Sequence, residues 1–271
     1  MNLHTDDVAV VTGAASGIGL ALVRAFCARG LAVVMSDVQS DRLDAAARGL
    51  RAEGAEVTTV AADVSKGEDV ERLAERAAAV YGGVDVVCNN AGVSPPPAAA
   101  WGGSVEAWRW SLDVWLLGVV HGIRAFVPAM VERGRGHVLN TASVGGLVAV
   151  PGLAPYVAVK HAVIGLTETL AAELAELAPG VGVSVLCPGV VATDLARNSR
   201  EVAPGGIGLA QPESGTVPTI SRFGSVLEPA TVAEMALVGI EAGLLRIVTH
   251  RDSVPLVRRR LASIEADLSV R

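Results

Sequence analysis

The sequence predicts an α/β fold, a doubly wound parallel sheet of about seven strands with helices on both faces. Three observations lead there. Short apolar runs alternate with longer helix-like segments along the chain. The first apolar run opens directly into a glycine-rich turn and a helix, V-A-V-V-T-G-A-A-S-G-I-G from Val8 to Gly19. Asp37, Asp63, Asn89, Ser143 and Pro188 each fall at the end of a predicted strand, and parallel sheets form their ligand crevice at the carboxyl ends of the strands.

Each element has its own signal. V-A-V-V-T reads as a buried strand, and L-A-L-V-R-A-F-C-A-R-G as a helix stopped by Gly30. Leu31 to Asp37 is the second strand, followed by a helix carrying D-R-L-D-A-A-A-R-G-L. Val57 to Asp63 is the third strand, and a helix runs from about Lys66 to Tyr81. V-D-V-V-C-N-N-A-G gives the fourth strand and its turn; a long helix from about Ser104 to Glu132 precedes the fifth strand, G-H-V-L-N-T-A-S. A helix containing Tyr156 and Lys160 extends to about Ala178, and V-G-V-S-V-L-C-P and L-R-I-V-T-H supply the last two strands. Residues 194–224, rich in glycine and proline, are expected to form a mobile substrate lid, and 250–271 a C-terminal extension. No polar linker interrupts the alternation, so residues 1–271 are read as a single domain.

Half of the 271 residues are apolar (51%), enough for a large core between helix layers. A net charge of −6 argues against nucleic acid or an anionic membrane as a partner, and Arg258 to Arg260 read as a solvated face or a subunit contact. The polar start M-N-L-H-T-D-D is unlike a signal peptide. The apolar stretch from Ser143 to Val159 is broken by Gly145, Gly146, Pro151, Gly152 and Pro155, so it is not read as a membrane span. Cys27, Cys88 and Cys187 sit within apolar patterns, as buried thiols in a reducing cytoplasm would. The five histidines have no metal-ligand spacing, so no metal is expected, and His161 reads as an ordinary helix residue.

Two motifs carry chemistry. In the turn, Gly13 permits the tight bend, Gly17 lets backbone amides approach a diphosphate, and Gly19 lets the helix pack close to the strand. The helix N-terminus then offers unpaired N–H groups to the phosphates. Tyr156 and Lys160 stand four residues apart in Y-V-A-V-K, on one helical face, with Ser143 arriving from a strand end. Such a trio suits proton transfer at a carbonyl: a phenol as acid/base, an ammonium to stabilise its anion, and a hydroxyl to hold the substrate oxygen.

Together these residues resemble the short-chain dehydrogenase/reductase family. The resemblance spans about Asp7 to Thr249 and rests on six motifs. They are T-G-A-A-S-G-I-G at Thr12 to Gly19, D-V at Asp63 and Val64, N-N-A-G at Asn89 to Gly92, Ser143, the Tyr156/Lys160 pair, and P-G-V-V-A-T at Pro188 to Thr193. It implies a Rossmann-like fold and an oxidoreductase that moves a hydride between NAD(H) and a secondary alcohol or ketone. By the same resemblance Gly13, Ser16, Gly17, Ile18 and Gly19 hold the cofactor phosphates, Asp63 and Val64 the adenine, and Asn90 and Gly92 the ribose side. Val191 and Thr193, after Pro188, contact the carboxamide, and Tyr156 and Lys160 also touch the cofactor. Asp37 stands eighteen residues after Gly19, with no arginine or lysine in the following V-Q-S-D; a carboxylate there accepts from ribose hydroxyls and repels a 2′-phosphate, which selects NAD.

One position departs from the family. Where many members place an asparagine on the long helix, D-V-W-L-L-G from Asp113 to Gly118 presents Trp115. Its indole cannot accept a hydrogen bond and can displace a water linking lysine to solvent. Alternatively Trp108 and Trp115, seven residues apart, are packing residues on one helical face. Trp115 also leaves open an NAD-binding protein with weak or no redox turnover, or one using Tyr156 in a non-redox elimination or cyclisation. The expected cleft rim (Pro95, Pro96, Val144, Gly145, Val190) is apolar and suggests a hydrophobic, uncharged small-molecule substrate. A-V-I-G-L-T-E-T-L-A-A-E-L-A is apolar on more than one face. With the family's habit of pairing through long helices, this suggests a homo-oligomer, a tetramer or a dimer.

Overall fold

The computed structural model describes residues 2–205, 207 and 225–269. Seven strands form one parallel sheet: β1 (Val8–Thr12), β2 (Ala32–Asp37), β3 (Val57–Ala61), β4 (Val86–Asn89), β5 (Gly136–Thr141), β6 (Val181–Cys187) and β7 (Arg246–Val248). Their spatial order is β3-β2-β1-β4-β5-β6-β7. The chain winds outward from β1 in one direction and restarts at β4 in the other, so the order reverses between β1 and β4. A crevice opens at the carboxyl ends of those two strands.

Helices cover both faces, as the near-continuous apolar strands require. Alternate side chains of each strand enter different cores. On one face Ala9, Val11, Val33 and Met35 meet Leu22 and Phe26 of α1 (Gly17–Ala28) and Val232, Leu237 and Ile240 of α8 (Pro229–Glu241). On the other, Val10, Val34, Val87 and Val138 meet Leu73 of α3 (Gly67–Tyr81), Phe126 and Met130 of α5 (Gly118–Arg133), and Leu170 and Leu174 of α6 (Ala154–Leu177). α2 (Ser40–Ala52) joins β2 to β3.

The expected strands and the helices between them are present, with three differences. The helix expected from Ser104 to Glu132 is α4 (Val105–Ser111) and α5 joined by a π-helical stretch, Leu112–Leu117. Within the expected lid, Leu195–Val202 forms a helix, α7, while 206 and 208–224 lie outside the described residues. The C-terminal extension forms a short 3-10 turn, Arg251–Ser253, and an exposed helix, α9 (Val254–Leu268), on which Arg258 to Arg260 face solvent. Val105–Arg133 is long and apolar enough to cross a bilayer by composition alone, but one side of it packs on α3 and the sheet.

Candidate active site

A cavity of about 610 Å³ opens at the carboxyl ends of the strands. Its floor is the turn between β1 and α1. Gly13 has φ +66°, and a Cβ there would lie 2.8 Å from Ala91 Cα; a Cβ on Gly19 would collide with the carbonyl of Gly13. The turn is therefore closed against both the β4 segment and its own helix. Thr12 Oγ1 ties these segments together, donating to Cys88 O (3.3 Å) and accepting from the amides of Asn90 (3.0 Å) and Ala91 (3.1 Å). The Asn90 side chain donates to Thr12 O at 2.9 Å. Ser16, at the N-cap of α1, makes no side-chain capping bond, which leaves first-turn amides free for an anion.

The sequence-predicted cofactor residues Gly13, Ser16, Gly17, Ile18, Gly19, Asp37, Asp63, Val64, Asn90, Gly92, Pro188, Val191 and Thr193 all line this cavity, as do Tyr156 and Lys160. Asp37 also pins the turn, accepting from Ala15 N (3.1 Å) and Gln39 N (3.0 Å). Each carboxylate oxygen keeps a second lone pair for ribose hydroxyls. Asp63 closes a local turn, accepting from the Ser65 amide (3.0 Å) and hydroxyl (2.6 Å). Glycines at 13, 17 and 19, open first-turn amides and a carboxylate at the β2 end fit a dinucleotide that carries its diphosphate but no 2′-phosphate.

At the other end, α6 presents Tyr156 and the buried Lys160 on one face. Lys160 Nζ donates to Thr141 O at 2.9 Å. Ser143 sits at the end of β5, outside the residues that line the cavity. Its Oγ accepts from Gly145 N (3.0 Å) and donates to Pro188 O (3.2 Å), so holding a substrate carbonyl requires that hydroxyl to turn away from Pro188. Trp115 is 2% exposed and stacks edge-on against Tyr156, with ring centroids 4.9 Å apart at 79°. The Lys160 ammonium lies 4.8 Å from the Trp115 ring and 5.9 Å from that of Tyr156. A side chain at residue 92 would strike the indole nitrogen, so Gly92 makes room for Trp115.

Two expectations are corrected here. The lowering of the Tyr156 phenol is expected from Lys160 together with the positive nicotinamide ring; in the chain by itself burial pushes the phenol up, opposed by the Ser143 hydroxyl. Burial also pushes Lys160 down to about 7, so the ammonium is itself costly in this pocket. Trp115 does not share its face with Trp108, which is half-buried; it clusters with Trp110, which is 8% exposed. The π-helical stretch Leu112–Leu117 follows α4 and contains Trp115, so the seven-residue α-helical spacing does not carry across it. The rim is different as well. None of Pro95, Pro96, Val144, Gly145 and Val190 lines the cavity, whereas Val93, Trp110, Trp115 and Ile207 do, together with Glu106, Arg109 and Asp113.

Some residues that shape the site had no local signal. His250 holds the segment after β6: its Nδ1 accepts from Gly189 N (2.9 Å), and its Nε2 donates to Val190 O (3.0 Å). Asn89 donates to Asn140 (2.8 Å), and Asn140 to Thr167 on α6 (3.0 Å), a buried chain that locks the helix bearing Tyr156 to β4 and β5. Among the described residues His161 makes a helical contact, to Val157 O at 2.9 Å, as expected of an ordinary helix residue. Cys88 and Cys187 are buried and Cys27 half-buried, all free.

Comparison with known proteins agrees with this geometry. Residues 7–203 match the model of the short chain dehydrogenase family. A 1-deoxy-11-beta-hydroxypentalenate dehydrogenase from Streptomyces exfoliatus is 47% identical over 210 residues, 77% of this chain and 74% of the relative. A CLA biosynthesis dehydrogenase/reductase from Lactiplantibacillus plantarum is 30% identical over 97% of this chain and 94% of its own. The crystal structure of a short chain dehydrogenase/reductase from Burkholderia phymatum in complex with NAD superposes with a TM-score of 0.91 at 37% identity, covering 98% of this chain and 97% of that one. The glycine turn, the tyrosine and lysine at the same crevice, and these likenesses lead to one conclusion: the chain belongs to the short chain dehydrogenase family of oxidoreductase enzymes.

Proposed function

We propose that this enzyme is an NAD-dependent alcohol dehydrogenase/ketoreductase acting on a hydrophobic, uncharged secondary alcohol or ketone. The observation that carries the reading is the convergence of Tyr156 and Lys160 with the Gly13–Gly19 turn and Asp37 on one cavity. NAD bound there supplies the hydride acceptor, or NADH the donor. Gly17 and the first turn of α1 hold its phosphates, Asp37 the adenosine ribose, Asp63 and Val64 the adenine, Asn90 and Gly92 the ribose side, and Val191 and Thr193 the carboxamide.

Tyr156 moves the proton. A free phenol titrates at about 10 and burial pushes that of Tyr156 up further, so it stands ready as the acid that protonates a reduced ketone. In the oxidative direction it must first lose that proton, and Lys160 then stabilises the phenolate to the extent that its ammonium survives burial. Ser143 turns its hydroxyl from Pro188 to the substrate oxygen and stabilises charge developing there. Trp110, Trp115 and Ile207 give the substrate an apolar wall. The Streptomyces relative, named for dehydrogenating an 11-beta-hydroxy compound, supports a hydroxyl as the reacting group. The free thiols support a cytoplasmic setting.

The test follows NADH absorbance with a panel of secondary alcohols and ketones, for wild type and Tyr156→Phe. Removing a general acid/base costs about 10²-fold or more in turnover, with NADH binding little changed. A Tyr156→Phe rate near that of wild type would refute the mechanism. Failure of every alcohol and ketone in the panel would overturn the redox reading.

A further inference from the structure

Helix α9 fully buries none of its 15 residues. Leu256 and Val257, in its first turn, pack on Val144, Val148 and Val150; from Arg258 to Leu268 every residue is exposed. Its apolar side chains nevertheless fall on one line. Val254, Val257, Leu261, Ile264 and Leu268 are spaced three, four, three and four residues apart, the repeat that keeps a single seam turned toward a neighbouring helix. Leu261 is 55% exposed, Ile264 41% and Leu268 82%. A stripe of this kind marks a face for burial, and the described residues cover only its first turn.

The charges beside the seam identify what covers it. Arg258 and Glu265 flank it on one side, Arg260 and Asp267 on the other. Within α9 neither arginine has an acidic residue three or four positions away, and Glu265 has no basic one, so the helix does not pair these charges internally. None of the four joins an ion pair elsewhere among the described residues. A second copy of α9 laid antiparallel satisfies both features. With Leu261 against Ile264 of the other copy, Val257 meets Leu268, Arg258 meets Glu265 and Arg260 meets Asp267. A two-fold axis repeats each contact, giving four opposite-charge pairs. Parallel helices would give two, both from Arg260 to Glu265.

We infer that α9 is a self-association surface, whose seam pairs antiparallel with the α9 seam of a second copy of this chain. It is a different surface from α5 and α6, and it does not depend on the cofactor or the reaction. A 15-residue helix is about 22 Å long. Two of them bury less than the roughly 1,200 Å² of a stable specific interface, so this contact is weak alone and adds to any other between the copies.

The experiment follows mass against protein concentration, from micromolar to millimolar, by sedimentation velocity. Leu261→Asp with Ile264→Asp should weaken the association at least tenfold. Arg258→Glu with Arg260→Glu makes both flanks acidic, and Glu265→Arg with Asp267→Arg makes both basic. Each of these variants should associate more weakly than wild type, and an equal mixture of the two should recover the wild-type strength. Arg258→Glu alone should weaken pairing about fivefold, because its contact exists only between antiparallel helices; no effect overturns that arrangement. All these positions are exposed, and unchanged far-UV circular dichroism confirms that each variant is folded. Equal mass curves for wild type and the Leu261→Asp, Ile264→Asp variant overturn the inference. Should that variant instead melt earlier at an unchanged mass, the seam is covered by the chain's own residues, and the second copy is refuted. A mixture of acidic and basic variants no stronger than either alone also refutes it.

Discussion

Replacing Trp115 with asparagine separates packing from proton chemistry at the site. The indole is 2% exposed, stacked on Tyr156 and lying 4.8 Å from the Lys160 ammonium. Truncating a buried tryptophan costs about 3–5 kcal/mol, and the edge-to-face pair contributes about 0.5–1.5 kcal/mol of specific interaction. Asparagine refills part of the space, and the adjoining cavity of about 610 Å³ lets water in, so about 3 kcal/mol is the expected loss. With an unfolding entropy of about 2.1 cal/mol/K per residue, a chain of 271 residues should melt about 5 °C earlier. The same water hydrates the Lys160 ammonium, which burial now holds down to about 7. Its pKa should rise, its charge persist to higher pH, and the Tyr156 phenol ionise more readily. The acidic limb of the pH profile for alcohol oxidation, measured in single turnovers, should therefore move to lower pH in Trp115→Asn. Earlier melting with an unmoved profile would leave Trp115 as a packing residue and refute the electrostatic half of this reasoning.

Lys160 also links stability to pH. Its folded pKa of about 7 lies below an unfolded value of about 10.4. Between these values the unfolded chain binds more protons, so this group's contribution to stability rises with pH and is lost as pH falls toward 7. Lys160→Met should stabilise the protein most at pH 7 and least near pH 10; an equal effect at both, by chemical denaturation, would contradict the buried ammonium. Wild type should favour NAD over NADP, and Asp37→Ala should narrow the gap by removing repulsion of the 2′-phosphate; a wild-type preference for NADP in steady-state kinetics would refute this. We further propose a homo-oligomer, because Leu112 and Leu117 beside α5 and Leu177 on α6 expose apolar side chains. A monomer mass by light scattering at micromolar concentration would count against it.

The sheet, the cofactor turn and the Tyr156/Lys160 pair are legible in the sequence, because each is written in local terms. Strands buried on both faces read as continuous apolar runs, the turn needs glycines at 13, 17 and 19, and residues four apart share a helical face. Asp37 and Asn90 were legible for the same reason, standing at strand ends that a parallel sheet gathers along one edge. What lay beyond the sequence depends on contacts between distant segments. A π-helical stretch between α4 and α5 breaks the α-helical spacing from Trp108 to Trp115, and Trp115 shares its core with Trp110. His250 grips a segment 60 residues earlier, and Asn198 reaches Ser16 across 182. The protonation of Tyr156 and Lys160 was likewise decided in three dimensions. The motif brings the two groups together, but how strongly each can hold a charge depends on the water excluded by every element packed around them.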